Sequence, residues 1–192
     1  MRNRTLKVTA VAGVLAVAVV PTGTSFADSA TAPSAAVQAD SFLGGRTTVP
    51  EKLVPPAGNV LTSVFKAHGV QIYGCTNGAW TLTEPAASLA GIALNPVRPA
   101  SAIHFRGPSW ESDQDGTLIE GMSPVSAPSD NPNSIPQLLI TAKLTRGTGV
   151  FGGVTFVQRL ATKGGVAPSS GCAAGDVKAV QYTAVYRFFK KG

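Results

Sequence analysis

Charge is scarce in this chain: Asp, Glu, Lys and Arg make up 14% of its 192 residues, and histidine and cysteine occur only twice each. Two cysteines and two histidines so widely spaced match no zinc pattern, which leaves a metal site without ligands of the usual kind. No G-x-x-x-x-G-K-[ST] phosphate loop occurs anywhere. Helical periodicity is missing as well, since no window of ten or more residues keeps a 3.6-residue apolar stripe, apart from a turn's worth around residues 86–90. The longest apolar run, residues 8–20, falls short of the ~18 to 20 residues that cross a bilayer as a helix, so no permanent membrane anchor is expected.

What is present begins with an export signal. Arg2, Arg4 and Lys7 precede that apolar run, Pro21 and Gly23 end it, and Ser25 and Ala27 place small residues where a signal peptidase reads. Residues 1–27 therefore read as a signal peptide, and the protein as secreted, extracellular or associated with the cell envelope. Removing them leaves 165 residues with 13 basic and 10 acidic side chains, so the net charge falls from +6 to +3. The remaining basic residues are scattered, whereas nucleic-acid binding needs them converging on one face, so no nucleic-acid partner is expected. Residues 28–47 are small and polar without periodicity and read as a flexible tail. Residues 48–192 then form a single domain, expected to be monomeric.

Strand-like runs fill that domain, at 60–67, 70–75, 80–83, 102–105, 117–120, 138–144, 154–160 and 180–189, with His68 and Gly69 read as a turn. Two alternate cleanly. Leu138, Ile140, Ala142 and Leu144 share one face of theirs; Val180, Tyr182, Ala184, Tyr186 and Phe188 share one face of the last, opposite Gln181, Thr183 and Arg187. The pattern predicts an all-β fold, a single antiparallel β-sandwich or barrel-like domain with long loops. Residues 122–136, with four prolines, read as a mobile insertion, and 91–100 as a second proline-containing loop. Cys75 and Cys172 both lie in the exported part, where an oxidising compartment favours joining them, so a disulfide is expected between positions 97 apart.

Candidate chemistry is sparse. G-x-G-x-x-G at 147–152 lacks the following helix that a dinucleotide site needs and reads as a turn between strands, so no cofactor is expected. Glu111, Asp113 and Asp115 before Gly116 resemble the opening of a calcium loop, but Met122 stands where a bidentate Glu should be, and Asp115-Gly116 is equally a hairpin turn. His104 and Glu111, in H-F-R-G-P-S-W-E, form an acid/base pair if the Gly107-Pro108 turn brings them together.

Two readings of function follow. One is a non-catalytic module binding a small molecule, glycan or envelope component, with Gln71, Tyr73, His104, Trp110, Glu111 and Arg159 as ligand-binding candidates. The other is a secreted hydrolase or lyase using His104 as base and Glu111 as acid, with Arg159 holding an anion. Binding is preferred, because no nucleophile or metal set accompanies the histidine.

The strings G-V-Q-I-Y-G-C (69–75), H-F-R-G-P-S-W-E (104–111) with Asp115-Gly116, V-Q-R-L (157–160) with Gly164-Gly165, Pro168 and Cys172, and Y-T-A-V-Y-R-F (182–188) occur in order. Together they resemble the family called domain of unknown function thirty-four fifty-five, largely secreted bacterial and fungal proteins without an established activity. The resemblance implies one β domain and the Cys75–Cys172 pairing, and it transfers no catalytic assignment.

Overall fold

The structure, a computed structural model, describes residues 49–192, over which the alternation of apolar and polar side chains becomes eight strands. The expected signal peptide at 1–27 and tail at 28–47 lie outside the described residues. The strands are β1 (Asn59–Thr76), β2 (Ala79–Leu94), β3 (Val97–Phe105), β4 (Ser109–Ser112), β5 (Leu118–Ala127), β6 (Gln137–Arg146), β7 (Val154–Gly164) and β8 (Val177–Lys191). Each pairs antiparallel with the next, and β8 returns to pair with β1, so the sheet closes into an up-and-down barrel. The domain is thus all-β, and the barrel alternative to a sandwich is the one realised. Closure pairs every strand on both sides and leaves no unprotected edge.

Period-two alternation decides what lies inside. Phe65, Ala67, Gln71 and Tyr73 of β1 are buried, as are Tyr182, Ala184, Tyr186 and Phe188 of β8, while Lys66, His68 and Gln181 are exposed. The lumen of β1 and β8 is thus filled mainly by apolar and aromatic side chains, while on the opposite phase Val64 and Val185 form a smaller buried cluster with Ile92. Among the described residues no helix is long and apolar enough to cross a membrane.

The two ends of the barrel differ. At the end bearing the β6–β7 connection, Phe151 is fully buried and its ring centroid lies 5.8 Å from that of Phe65 and 4.5 Å from that of Phe188, plugging the lumen. At the other end stand the β1–β2 hairpin, the Gly107-Pro108 turn, and the 128–136 and 165–176 connections. There Cys75 is bonded to Cys172, Tyr73 Oη donates to the Gly165 carbonyl at 2.6 Å, and Trp80 Nε1 donates to the Ser170 carbonyl at 3.0 Å. A short 3-10 turn, Glu51–Leu53, packs outside the barrel, where buried Leu53 covers Ala127, Leu139 and Leu160. That cover explains why Leu139, on the otherwise polar side of its strand, is buried.

Several local expectations are corrected. His68 and Gly69 are not a turn but lie in the middle of β1, where the strands approach so closely that a side chain at Gly69 would meet the Ala86 carbonyl oxygen at 2.2 Å. Residues 86–90 are strand, not helical turn. Residues 91–100 are the ends of β2 and β3 and the turn between them, whose Asn95–Pro96 peptide bond is cis. Of the expected mobile insertion at 122–136, the first part belongs to β5, with a register shift between Met122 and Val125 that accommodates Pro124. The remaining loop is held to the barrel: Ser129 Oγ and Asn131 Nδ2 both donate to the Thr162 carbonyl at 2.9 Å, and Ile135 N donates to the Gly164 carbonyl.

Candidate functional site

Register builds the open end. Arg159 of β7 is directly opposite Leu138 of β6 on one side and Tyr186 of β8 on the other, so all three point the same way, into the lumen. His104 pairs with Trp110 across β3 and β4, also inward. Gln71 of β1, His104, Arg159 and Tyr186 line a cavity of about 350 Å³, whose apolar side is formed by Leu138, Ile140 and Pro108. Glu84 and Arg106, paired at 3.1 Å, stand at its rim.

The polar groups are arranged as donors. Arg159 Nε and Nη2 donate to the Pro136 carbonyl at 3.2 and 3.0 Å, so the last residue of the 128–136 loop orients the guanidinium. The Tyr186 hydroxyl lies 3.4 Å, oxygen to oxygen, from that of Tyr182, and the Arg159 charge works against the burial-driven rise in its pKa. Gln71 is 2% exposed, and its Nε2 makes no hydrogen bond of full geometry, although it stands near enough to the Tyr182 hydroxyl to work against the burial-driven rise in that group's pKa. Burial pushes the Tyr182 and Tyr186 hydroxyls up, so both stay protonated at neutral pH. Tyr73 is raised by burial too, although the Arg159 charge acts against it.

His104 is 3% exposed and stacks on Trp110 with ring centroids 4.5 Å apart and planes 3° from parallel. Its Nδ1 lies 2.8 Å from the Ser109 carbonyl oxygen, an acceptor only, so Nδ1 carries the proton. Burial lowers its pKa to about 4, outweighing the Ser109 bond, which favours the protonated ring; the Arg159 charge adds to the lowering. His104 is therefore neutral at physiological pH.

Of the ligand-binding candidates, Gln71, His104 and Arg159 line the cavity. Tyr73 is turned inward but is occupied by Gly165, and Trp110, fully buried, backs His104 without reaching the cavity wall. Glu111 is the correction. It pairs with Ile103, one residue out of phase with His104 and Trp110, and so projects from the outer face of the sheet. The acid/base pair of His104 and Glu111 is thus separated by the barrel wall, and the hydrolase or lyase reading loses its acid.

The calcium reading is corrected for a related reason. Glu111, Asp113 and Asp115 do not converge, and no group of three His, Cys, Asp or Glu able to hold a metal occurs among the described residues. Asp115 serves the turn instead: Oδ1 accepts from Thr117 N at 3.1 Å and Thr117 Oγ1 at 2.6 Å, and Oδ2 accepts from Val150 N at 2.9 Å. Burial would raise its pKa, but these bonds, with a contribution from the Ser112 hydroxyl, prevail and hold it at about 2. The glycine-rich string at 147–152 joins two strands, and its Phe151 is the plug described above.

Sequence reading missed Tyr182 and Tyr186, although the alternation of β8 already placed both on the face shared with Phe188. It also missed Pro136, whose contribution is a backbone carbonyl and carries no side-chain signal. A larger cleft, about 720 Å³, lies against the outer face of β8, β1, β2 and β3, lined in part by Lys66, His68, Asp113 and Lys163. Its charged side chains are exposed and none of its polar groups is a buried one lacking a partner, so the smaller inner cavity is the better candidate.

Neither the curated proteins nor the solved structures include a match to this chain. Residues 92–190, from the end of β2 almost to the end of β8, match the family described as protein of unknown function (DUF3455). The matched part carries His104, Arg159, Tyr182, Tyr186 and Cys172, while Gln71 and Cys75 precede it. Covering just over half of the chain, the match shows that this protein belongs to the DUF3455 family.

Proposed function

We propose that this protein is an exported, non-catalytic small-molecule-binding barrel whose ligand enters the cavity above His104. The observation that carries the reading is the convergence of Arg159, Gln71, His104 and Tyr186 on one space of about 350 Å³ at the open end of an otherwise filled barrel. Binding is favoured over catalysis because Glu111, the acid expected to partner His104, projects from the other side of the barrel wall, and Glu84 at the rim is paired with Arg106. A small molecule is favoured over a glycan because Trp110, the indole best suited to stacking on a sugar, is fully buried beneath His104. Export is supported by the basic start and apolar run at residues 1–20 and by the Cys75–Cys172 disulfide.

A thermal-shift screen of the purified protein against sugars, organic acids and neutral heterocycles tests this. A ligand at a hundred times its Kd contributes about 2.7 kcal/mol, which for a domain of this size raises Tm by roughly 5 to 10 °C. The shift should vanish in Leu138→Trp, whose indole fills the cavity. No shift across the panel, or one undiminished in a folded Leu138→Trp variant, overturns the reading.

A further inference from the structure

The cavity holds a positive charge that the protein does not balance. Arg159 makes no ion pair with any carboxylate among the described residues, and the acid at the rim, Glu84, is taken by Arg106. A guanidinium has five N–H donors. Two go to the Pro136 carbonyl, which leaves three on a half-buried group. Beside it the Gln71 carboxamide, almost wholly buried, keeps an Nε2 without an acceptor. A buried donor left unsatisfied is costly, so its persistence in a cavity wall points to an acceptor that arrives from outside.

We propose that the ligand is a small organic monocarboxylate, its carboxylate held by Arg159 and Gln71 Nε2 and its hydrocarbon part lying against Leu138 and Ile140. The proposal rests on the binding function given above and names its ligand class. A carboxylate presents two oxygens in the geometry that a guanidinium fork matches. His104 is neutral and Tyr182 and Tyr186 are protonated, so the cavity offers one net positive charge, suited to one negative charge. The apolar wall has nothing to offer an inorganic anion but fits an aliphatic or aromatic body. The volume, about 350 Å³, equals that of about a dozen waters, which limits the ligand to roughly that many non-hydrogen atoms.

Calorimetric titration with benzoate, cyclohexanecarboxylate and pyruvate, each beside its neutral amide, and with inorganic phosphate, separates the possibilities. The carboxylates should bind at least tenfold more tightly than their amides and than phosphate. Arg159→Gln should weaken the carboxylates at least tenfold while leaving the amides within threefold. Gln71→Leu, which removes an unpaired donor and so should not lower Tm, should weaken the carboxylates severalfold; it keeps the test open if Arg159→Gln fails to fold. Amides binding as tightly as acids, or acids binding unchanged in both variants, would overturn the carboxylate while leaving a binding cavity. Phosphate matching the organic acids would reduce the site to a general anion hole and overturn the proposal. If neither acids nor amides bind, this proposal and the binding function fall together.

Discussion

His104 sets the acid limit of the folded state. Unfolded, it titrates near 6.5; folded, burial holds it down to about 4. Between those values the unfolded chain binds a proton that the native chain refuses, so stability is complete above pH 6.5 and declines as pH falls towards 4. The shift corresponds to a loss of about 3 kcal/mol, a substantial part of a domain's usual margin of roughly 5 to 15 kcal/mol. Urea unfolding at a series of pH values should show this decline, and His104→Phe, which keeps a ring on Trp110 but has nothing to protonate, should flatten it; an equal decline in that variant would assign acid sensitivity elsewhere. Asp115 acts in a separate window: its depressed pKa contributes stability above about 4 that is lost as pH falls through about 2. At this scale the sequence was informative about chemistry and weak about direction. Gln71, His104 and Arg159 were identifiable as polar residues in strand-like runs, whereas the side on which Glu111 emerges depended on a turn whose geometry no residue type specifies.

Among the elements, the β6–β7 connection is the one most dependent on a single fit. Gly149 has φ +148°, and a side chain there would lie 2.1 Å from Asp115 Oδ2, the atom that receives Val150 N. Gly149→Ala should therefore destabilise by about 2 kcal/mol or more, through backbone strain and loss of the Asp115 bond together. In a double-mutant cycle with Asp115→Ala, measured by chemical denaturation, the two losses should be strongly less than additive, since both release the same latch. Additive losses would show that the bond is not what Gly149 protects. Clean alternation made β6 and β8 legible in the sequence. The prolines concealed the rest: Pro85, Pro99 and Pro124 lie within strands, two of them beside register shifts, where a missing N–H interrupts little of the ladder. Reading each proline as a break cut β2, β3 and β5 short.

For the whole molecule, the disulfide is the largest single constraint visible. Joining positions 97 apart, it should stabilise the domain by about 4 to 5 kcal/mol through the unfolded chain. Denaturant unfolding of the protein with and without reductant, or of Cys75→Ser with Cys172→Ser, should show a lowered midpoint and a larger m-value, since the unlinked unfolded chain exposes more surface; a midpoint that does not move would mean that the strand ladder alone carries the fold. One β domain and one disulfide could be read from the sequence, since they follow from composition and cysteine usage. A ring could not be told from a sandwich, because both present the same alternation and differ only in whether the first strand finds the last. That seam, β1 against β8, has a consequence for how the molecule comes into being. Its two halves are the most distant strands in the chain, so a growing polypeptide can lay down seven strands and still possess neither a closed lumen nor Tyr182 and Tyr186, which arrive with the eighth. The capacity to hold a ligand is therefore acquired late and all at once, when the last strand is zipped in.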